Sequence, residues 1–441
     1  MAEYERIAVI GGGAAGCCAA WYLHQAEYDV ELFEKDDFLG GRSQTWREND
    51  LAINTGAGFF TNFYPLFWEL IAETGLGRHI VSDDREIILY DLQKSYAWQI
   101  SSVASFFRIP WLSLREKLRL IQTTVGLLLR KSQLDLNDPL RLARFDNESI
   151  ADHARRRLSD NSYEYLIRSA IEPYWYFSCE DASAAMFMAL QAEAPGAQFY
   201  TLRGGMDQLA VELTKDIPSY IGLGITGIKR TPSGQFQLLT DTGEHDTLFD
   251  GIVIATQAHQ ARQLIDKVPN CGVSVDQLSF LESQEYAASM IVWYRVGQLD
   301  IGECGFQASP VGQDRHGIAT WTDLGIVDRD NLTDDDRTVG VYLLDELSRQ
   351  LLNESDDIVA ERVWQALRHF NVRLPAQHPD VVRIVRRKNA IPIPQVGRYR
   401  LAADFQRTQS PPIVFAGDYL ATATIEGALQ TGRIAASQFD L

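Results

Sequence analysis

Three glycines near the start of this 441-residue chain have the spacing of a phosphate-binding turn. Gly11, Gly13 and Gly16 form G-x-G-x-x-G, and Glu34 follows 18 residues after the last of them. The first glycine permits a tight turn, the second lets backbone approach a pyrophosphate, and the third lets a helix pack on the sheet. An acid at that distance accepts hydrogen bonds from ribose hydroxyls. The pattern predicts a dinucleotide site without choosing NAD or FAD, and a purely structural turn is the alternative.

The segments around these glycines predict the elements that must position them. Residues 7–10 are a short apolar run typical of a buried strand. Residues 14–23 form a helix of small residues, whose first amides favour a bound phosphate. A second strand over residues 29–33 ends at Glu34. Strand, turn, helix, strand and acid therefore follow one another as a nucleotide-binding unit requires.

A second glycine pair extends this unit, since Gly40, Gly41 and Arg42 follow the second strand. The whole segment 5–42 resembles the N-terminal fingerprint of the FAD-dependent amine oxidase, protoporphyrinogen oxidase and carotenoid desaturase superfamily. The resemblance implies that the cofactor is FAD and that Arg42 meets its pyrophosphate. It also implies an α/β fold, in which a Rossmann-type FAD-binding domain is interleaved with an α+β substrate domain, as in amine oxidase-like two-domain flavoproteins.

The C-terminal segment 413–436 is similar to the same superfamily. There the resemblance places Gly417 and Asp418 near the ribityl and pyrophosphate groups, and places the helix that begins at Ile425 with its amides toward the flavin. It also implies that Gly56 and Ala57 lie against the flavin and that backbone near Ile225 contacts adenine. The predicted cofactor-binding residues are Gly11, Gly13, Ala14, Ala15, Gly16, Glu34, Lys35, Gly41, Arg42, Gly56, Ala57, Ile225, Gly417, Asp418 and Ile425.

The two domains are expected to be intertwined. We assign residues 1–75, 196–265 and 401–441 to FAD binding, and residues 76–195 and 266–400 to the substrate domain, with a helical insertion over 101–190. Within the insertion, the aromatic run 174–177 is interpreted as core, with a substrate cavity as the alternative. The apolar positions of residues 111–128 recur at helical spacing, which predicts one buried face.

Segment 108–157 carries eleven basic and six acidic residues, a net charge of +5 inside a chain of −18. Leu112, Leu120 and Leu127 fall off the apolar stripe, toward the basic side of the predicted helix. Leucines beside arginines suit an anionic membrane surface. We therefore hypothesise peripheral membrane contact through 108–157, with an ordinary solvated helix face as the alternative.

Three functions remain open. The first is a non-covalent FAD-dependent oxidoreductase that removes hydride from an apolar or polycyclic substrate, such as a tetrapyrrole or isoprenoid. The second is an amine oxidase, but Ser289 and Thr424 stand where the resemblance implies a lysine and a cage tyrosine. The third is a non-redox isomerase or binding protein. Residues 386–415 contain no cysteine for a covalent flavin, and no catalytic side chain is identified.

The composition and charge of the chain bear on its binding partners and on its place in the cell. The net charge of −18 argues against general nucleic-acid binding. The odd set of five cysteines lacks C-x-x-C, and the histidines lack metal spacing, so we expect buried apolar cysteines and no metal site. No apolar run reaches the roughly 18 residues of a membrane span. Charged residues lead directly into the first strand, which does not fit a signal peptide. The expectation is a cytoplasmic protein.

Overall fold

The architecture was established from a computed structural model, which describes residues 4–49, 51–83, 86–98, 103–266, 268, 271–301, 305–327, 337–370 and 372–440. The strands, in chain order, are β1 (Arg6–Ile10), β2 (Asp29–Glu34), β3 (Thr45–Glu48), β4 (Leu51–Asn54), β5 (Phe60–Thr61), β6 (Ile80–Ser82), β7 (Glu86–Tyr90), β8 (Ser95–Trp98), β9 (Phe199–Leu202), β10 (Ser219–Ile221), β11 (Ile225–Arg230), β12 (Phe236–Thr240), β13 (Gly243–Phe249), β14 (Gly251–Ile254), β15 (Tyr286–Arg295), β16 (Phe306–Pro310), β17 (Ile318–Thr322), β18 (Thr338–Leu343), β19 (Val381–Pro392) and β20 (Ile413–Phe415).

The α-helices lie between these strands along the chain and after the last of them. They are α1 (Ala14–Gln25), α2 (Pro65–Glu73), α3 (Val103–Arg108), α4 (Leu114–Leu128), α5 (Pro139–Leu142), α6 (Ile150–Arg157), α7 (Asp160–Ser162), α8 (Arg168–Trp175), α9 (Ala184–Glu193), α10 (Gln208–Thr214), α11 (Ala258–Ile265), α12 (Val275–Glu282), α13 (Asp345–Leu351), α14 (Asp356–Leu367), α15 (Arg398–Thr408) and α16 (Ile425–Ser437). A π-helical turn, Tyr163–Ile167, runs into α8.

A five-stranded parallel sheet in the order β10-β2-β1-β14-β20 carries the glycine turn. The chain leaves β1 toward β2 on one side and returns much later as β14 on the other, so the end of β1 is a topological switch point. Ligands of open parallel sheets bind in the crevice at such a point, beyond the carboxyl ends of the strands. The turn after β1 and the acid that ends β2 both lie at this crevice.

The first and last helices of the chain pack on the same face of this sheet. A Cβ atom added at Gly432 in α16 would lie 2.2 Å from the carbonyl oxygen of Ala15 in α1, so glycine is required for the approach. The thiol of Cys18 donates to the carbonyl of Leu429 at 3.2 Å. The opposite face packs against β12, β13 and α11 in a separate apolar cluster. Residues from both ends of the chain therefore meet in one layer.

A seven-stranded sheet in the order β19-β15-β18-β17-β16-β7-β8 forms the second body of strands. It is antiparallel except where β16 runs parallel to β7. Helices α4 to α9 form a further apolar cluster, which also contains Ala287 from β15 and Ile393. Helices α3 to α8 and most of α9 lie within residues 101–190, the segment assigned to the helical insertion.

The cysteines that the structure describes, Cys17, Cys18, Cys179 and Cys271, are buried and free. Burial, aided by the nearby Glu34 carboxylate, raises the pKa of the Cys17 thiol to about 12. Cys304 lies outside the described residues.

Candidate functional site

One continuous cavity of about 1630 Å³ starts at the crevice of the parallel sheet and ends among the helices of the insertion. We call its two parts the groove and the chamber. The groove is lined by the glycine turn, Glu34, Arg42, the 55–57 turn and Asp418, and the chamber by Phe59, Phe187 and residues 174–176. Every predicted cofactor-binding residue except Gly16 lines this cavity.

Glu34 lies at one end of the groove and is 8% exposed. Its carboxylate accepts hydrogen bonds from the backbone amides of Gly12 at 2.6 Å and Asp36 at 2.9 Å. The acid therefore fixes the glycine turn as well as facing the cavity. Ile225, the first residue of β11, lines the same end, and so does Lys35, which pairs with Asp36 at 2.6 Å.

The glycines of the turn have separate roles. Gly11 has φ +112°, a conformation that side chains rarely adopt. A Cβ atom at Gly13 would meet no atom within 4 Å, because that position faces open cavity. A Cβ atom at Gly16 would lie 1.8 Å from the Gly11 carbonyl oxygen, which makes Gly16 a packing residue. No side chain caps the first amides of α1, so they are available to an anion in the groove.

Arg42 joins the two ends of the chain across the groove. Its guanidinium forms two hydrogen bonds of 2.7 Å with the Asp418 carboxylate and one of 2.8 Å with the carbonyl of Ala390. Burial acts to lower the pKa of Arg42, but Asp418 outweighs burial and the pKa lies above its ordinary value. A bidentate pair of this kind holds a planar set of donors in fixed orientation.

The 55–57 turn is fixed beside Arg42, where the amide of Ala57 donates to the Arg42 carbonyl at 2.9 Å. A Cβ atom at Gly56 would lie 2.0 Å from that same carbonyl oxygen. Asn54 is 1% exposed and accepts hydrogen bonds from the Thr45 hydroxyl at 2.8 Å and from the amide of Met206 at 3.2 Å. Asn54 thus supports the turn from behind.

Helix α16 begins in the wall of the cavity. Thr424 caps it by accepting from the amide of Gly427 at 2.8 Å, and both Thr424 and Ile425 line the cavity. Glu426 does not face the cavity and is fully buried, where it accepts from the amides of Leu66 and Phe67 at 3.0 and 2.9 Å. Burial raises the pKa of Glu426. The N-terminus of α16, which carries the positive end of the helix dipole, therefore faces the cavity. The Glu426 carboxylate does not face the cavity and instead accepts hydrogen bonds from the first amides of α2.

The aromatic run 174–177 lies where the chamber meets the core. Tyr174, Trp175 and Tyr176 line the chamber, whereas Phe177 is buried and does not. Trp175 and Tyr176 are only 8% and 9% exposed and belong to apolar clusters, and Tyr174 packs against one of them. The run is therefore core, as interpreted, and three of its residues also border the cavity. The Trp175 indole donates to the carbonyl of Ala423 at 2.8 Å, which joins the chamber to the start of α16. Tyr176 ends α8 with φ 62°, a left-handed conformation that turns the chain sharply there.

Helix α4 forms part of the chamber rim, and its buried face is the opposite of the predicted one. The membrane hypothesis is wrong about Leu112 and Leu120, which are 5% and 6% exposed and pack in an apolar cluster. The predicted core stripe is exposed instead, with Leu118 at 53%. Ile121, Val125 and Leu128 are exposed by 38–50% and line the cavity. This face of α4 therefore borders the cavity opening and does not pack against other described residues of the core. The helix packs instead through Leu120 and through hydrogen bonds from Gln191 to two of its threonines.

Ser289 and Thr424, which stand where an amine oxidase is expected to have a lysine and a tyrosine, both line the cavity. Ser289 in β15 is 3% exposed and lines the cavity, directly across the strand pair from Arg387 in β19. Arg387 belongs to no sequence motif, and it donates to the carbonyl and hydroxyl oxygens of Thr55. Its one signal in the sequence is the basic run 386–388, which lies between the apolar residues 384–385 and, after Asn389, the apolar residues 390–391.

The donors of this cavity fit FAD. The open cradle at Gly13 and the uncapped amides of α1 suit a pyrophosphate, and Glu34 has acceptor capacity beyond its two backbone bonds. The start of α16 suits the negative charge that a reduced flavin carries. No group of three metal-ligating side chains occurs among the described residues.

Characterised proteins resemble this chain over segments of different length, as two of them show. Coproporphyrinogen III oxidase of Propionibacterium freudenreichii subsp. freudenreichii is 31% identical over 81 residues, which are 18% of this chain and 15% of that protein. This chain thus matches under a sixth of that relative's length. Carotenoid phi-ring synthase of Streptomyces griseus is 25% identical over 300 residues, 60% of this chain and 55% of that protein.

Solved structures share the whole fold. A fatty acid isomerase of P. acnes, described as producing CLA, superposes with a TM-score of 0.74 at 14% identity and covers 100% of both chains. The structure of a putrescine oxidase bound to putrescine superposes with a TM-score of 0.73 at 15% identity and covers 98% of both chains, which confirms the predicted amine oxidase-like fold. The family of flavin containing amine oxidoreductases, which are FAD-dependent, matches residues 14–438. The chain therefore belongs to this family, and its cofactor is FAD.

Proposed function

We propose that this chain is a non-covalent FAD-dependent oxidoreductase that removes hydride from an apolar or polycyclic substrate, such as a tetrapyrrole or isoprenoid. The observation that carries the proposal is the continuity of groove and chamber in one cavity of about 1630 Å³. A pocket for a single drug-sized ligand occupies about 300–1,000 Å³. The cavity can therefore hold a dinucleotide and a large second molecule together.

The chamber wall favours a substrate with an extended apolar surface. Tyr174, Trp175 and Phe187 present aromatic surface there, and Ile121 and Val125 add aliphatic surface at the rim. Such a wall gains free energy in proportion to the apolar area it removes from water. The relatives named for coproporphyrinogen and carotenoid chemistry support this substrate class. When bound, FAD supplies the hydride acceptor, so the chain's own residues bind, orient and exclude water.

Two other functions are tested beside this one. An amine oxidase is disfavoured because Ser289 and Thr424 line the cavity where a lysine and a tyrosine would be expected. The second alternative is a non-redox isomerase or binding protein, and the fatty acid isomerase of P. acnes shares the fold of this chain.

Anaerobic flavin bleaching separates the three. We expect the purified protein to be yellow, to release FAD into the supernatant on acid precipitation, and to bleach with a tetrapyrrole or isoprenoid substrate in its reduced form. Rapid bleaching by benzylamine, spermidine or an amino acid would establish the amine oxidase. Conversion of an unsaturated fatty acid without net bleaching would establish the isomerase. Colour retained in the acid pellet would show a covalent flavin.

We also propose that the exposed apolar face of α4 lies against an anionic membrane. The face consists of Leu114, Leu118, Ile121, Val125, Leu128 and Leu129, exposed by 38–83%. Exposed Arg115, Arg119 and Arg130 flank it on one side, which suits attraction to anionic lipid with insertion of the leucines. No described helix is long and apolar enough to cross a bilayer. Because this face borders the chamber, a membrane-dissolved substrate would reach the cavity without crossing water. The proposed location is the cytoplasmic side of a membrane.

Liposome flotation tests this contact. We expect the protein to float with anionic vesicles at low salt and less at physiological salt. The double variant L118S/L129S should stay in the soluble fraction, since neither leucine lines the cavity. A matched control, V275S/I358S, removes exposed apolar residues elsewhere and should float normally. Arg119 is left unchanged because it donates to the carbonyl of Leu158. Wild-type protein that stays soluble at both salts would end the membrane proposal.

A further inference from the structure

Arg387 is a charged residue in the cavity wall that the proposed function has not used. It lies in β19, opposite Ser289 of β15, and its side chain lines the cavity. One guanidinium nitrogen donates to the carbonyl of Thr55, and another donates to the Thr55 hydroxyl at 3.0 Å. Thr55 immediately precedes Gly56 and Ala57, the turn expected to lie against the flavin. These bonds hold the guanidinium where the groove meets the chamber.

The other arginines around this site have partners of their own. Arg42 forms its two bonds with Asp418, and Arg383 stacks on the Trp46 ring at 4.5 Å. Arg386, the preceding residue of β19, pairs with Asp356 at 2.6 Å. In the portion of the chain that the structure describes, no carboxylate lies within ion-pair distance of Arg387. Both of its hydrogen-bond acceptors are neutral oxygens.

A cation that is partly removed from water and has no counter-charge costs free energy, and the Arg387 side chain is partly buried. The pKa of Arg387 is lowered, chiefly by burial and further by the positive charges of Arg42 and Arg383, while the more distant Asp36 opposes the decrease. Arginine nevertheless remains protonated in proteins. Tyr176 lines the chamber, and burial raises its pKa to about 12, so it remains a neutral phenol. The protein thus places a positive charge in the cavity and leaves it unneutralised.

We propose that Arg387 is an anion-binding residue of the cavity, whose counter-charge is supplied by a bound molecule at the junction of groove and chamber. The negative charge has two sources, a carboxylate on the apolar substrate or the reduced flavin. Because Arg387 presents fixed donors beside the 55–57 turn, it would orient a substrate carboxylate or favour the anionic form of the flavin. This inference rests on the proposed function for its ligands.

The test compares holoenzyme variants at one position. R387Q removes the charge, R387K retains it, and R386Q removes a charge from the adjacent residue, which already has an acidic partner. R387H serves as a second neutral variant if R387Q does not fold. Its imidazole is uncharged above about pH 7.5 and keeps an N–H that can donate to Thr55. Two quantities are measured for each protein: the midpoint potential of the bound flavin against a reference dye, and the Kd values of decanoate and 1-decanol.

We expect one of two patterns. If the anion is a substrate carboxylate, the neutral variants bind decanoate about ten- to a hundredfold more weakly and bind decanol unchanged. If the anion is the reduced flavin, the midpoint potential falls in the neutral variants and is kept by R387K and R386Q. Neutral variants that match R386Q in both quantities overturn the inference. Wild-type protein that is yellow and bleached by an apolar substrate keeps the proposed function even then.

Discussion

The polar side chains of the groove are held by the protein before any cofactor is considered. Glu34 accepts from two backbone amides, Arg42 is paired with Asp418, and Thr424 caps α16 while donating to Asn137 at 2.8 Å. A ligand that meets such residues finds them already oriented, which lowers the entropy lost on binding. Preorganisation of this kind makes the effect of single substitutions on FAD affinity interpretable.

Replacement of Glu34 by glutamine should weaken FAD binding. The variant keeps the shape of the side chain but loses the charge, and hydrogen bonds to a charged group contribute about 1.5–3 kcal/mol. The expected increase in Kd is roughly ten- to a hundredfold, measured by titrating FAD into apoprotein and following flavin fluorescence. The control is E31Q on the same strand, because Glu31 pairs with His245 at 2.9 Å and does not line the cavity. Equal Kd values for E34Q and wild type would show that Glu34 does not hold the ribose.

Residues close in sequence could be assigned from their spacing, whereas residues close only in space were assigned through the family resemblance, as Gly417 and Asp418 were, or were missed. The glycine turn and Glu34 lie within one strand-helix-strand unit, so their spacing alone implies their proximity. Arg387 meets Thr55 across 332 residues, and Trp175 meets Ala423 across 248. No periodicity in a single sequence reports such a contact, so the spacing of residues 174–176 could not show that this core segment also borders a cavity.

At the scale of elements, strands were easier to foresee than the orientation of helices. Residues 7–10 of β1 and 290–294 of β15 are continuous apolar runs, which are typical of strands covered on both faces. Helix α4 has an apolar stripe of helical period, which was assumed to face the core. The stripe faces the cavity opening instead. Periodicity shows that an apolar face exists, but it does not show what covers that face.

Two leucines of α4 provide a matched test of this orientation. L120A should reduce the free energy of unfolding by about 2–5 kcal/mol, the usual cost of a buried leucine. L118A should change it by no more than about 0.5 kcal/mol, since that side chain is 53% exposed. Urea unfolding followed by tryptophan fluorescence measures both. A larger loss for L118A than for L120A would restore the orientation predicted from the sequence.

At the scale of the whole molecule, the fold brings residues from the two ends of the chain together around the groove. Helices α1 and α16 pack together through Gly432, and Arg42 forms an ion pair with Asp418 across the groove. The same cavity then continues to α4, more than a hundred residues from either end. A ligand that spans the groove therefore contacts segments distributed along the entire sequence, and its binding should stabilise the whole fold.

FAD should stabilise the apoprotein more than FMN does. A ligand at a hundred times its Kd contributes about 2.7 kcal/mol to the free energy of unfolding, and the groove extends from the start of α16 to Glu34 and Ile225. FMN lacks the adenosine half, so it cannot reach the residues at the Glu34 end. At equal concentrations we expect a clear rise in Tm with FAD, a small one with FMN, and a small one with ADP, measured by scanning calorimetry. In E34Q the increase with FAD should approach the increase with FMN. Equal increases for FAD and FMN in wild-type protein would contradict an adenosine site at Glu34, and the dinucleotide would have to bind elsewhere in the cavity.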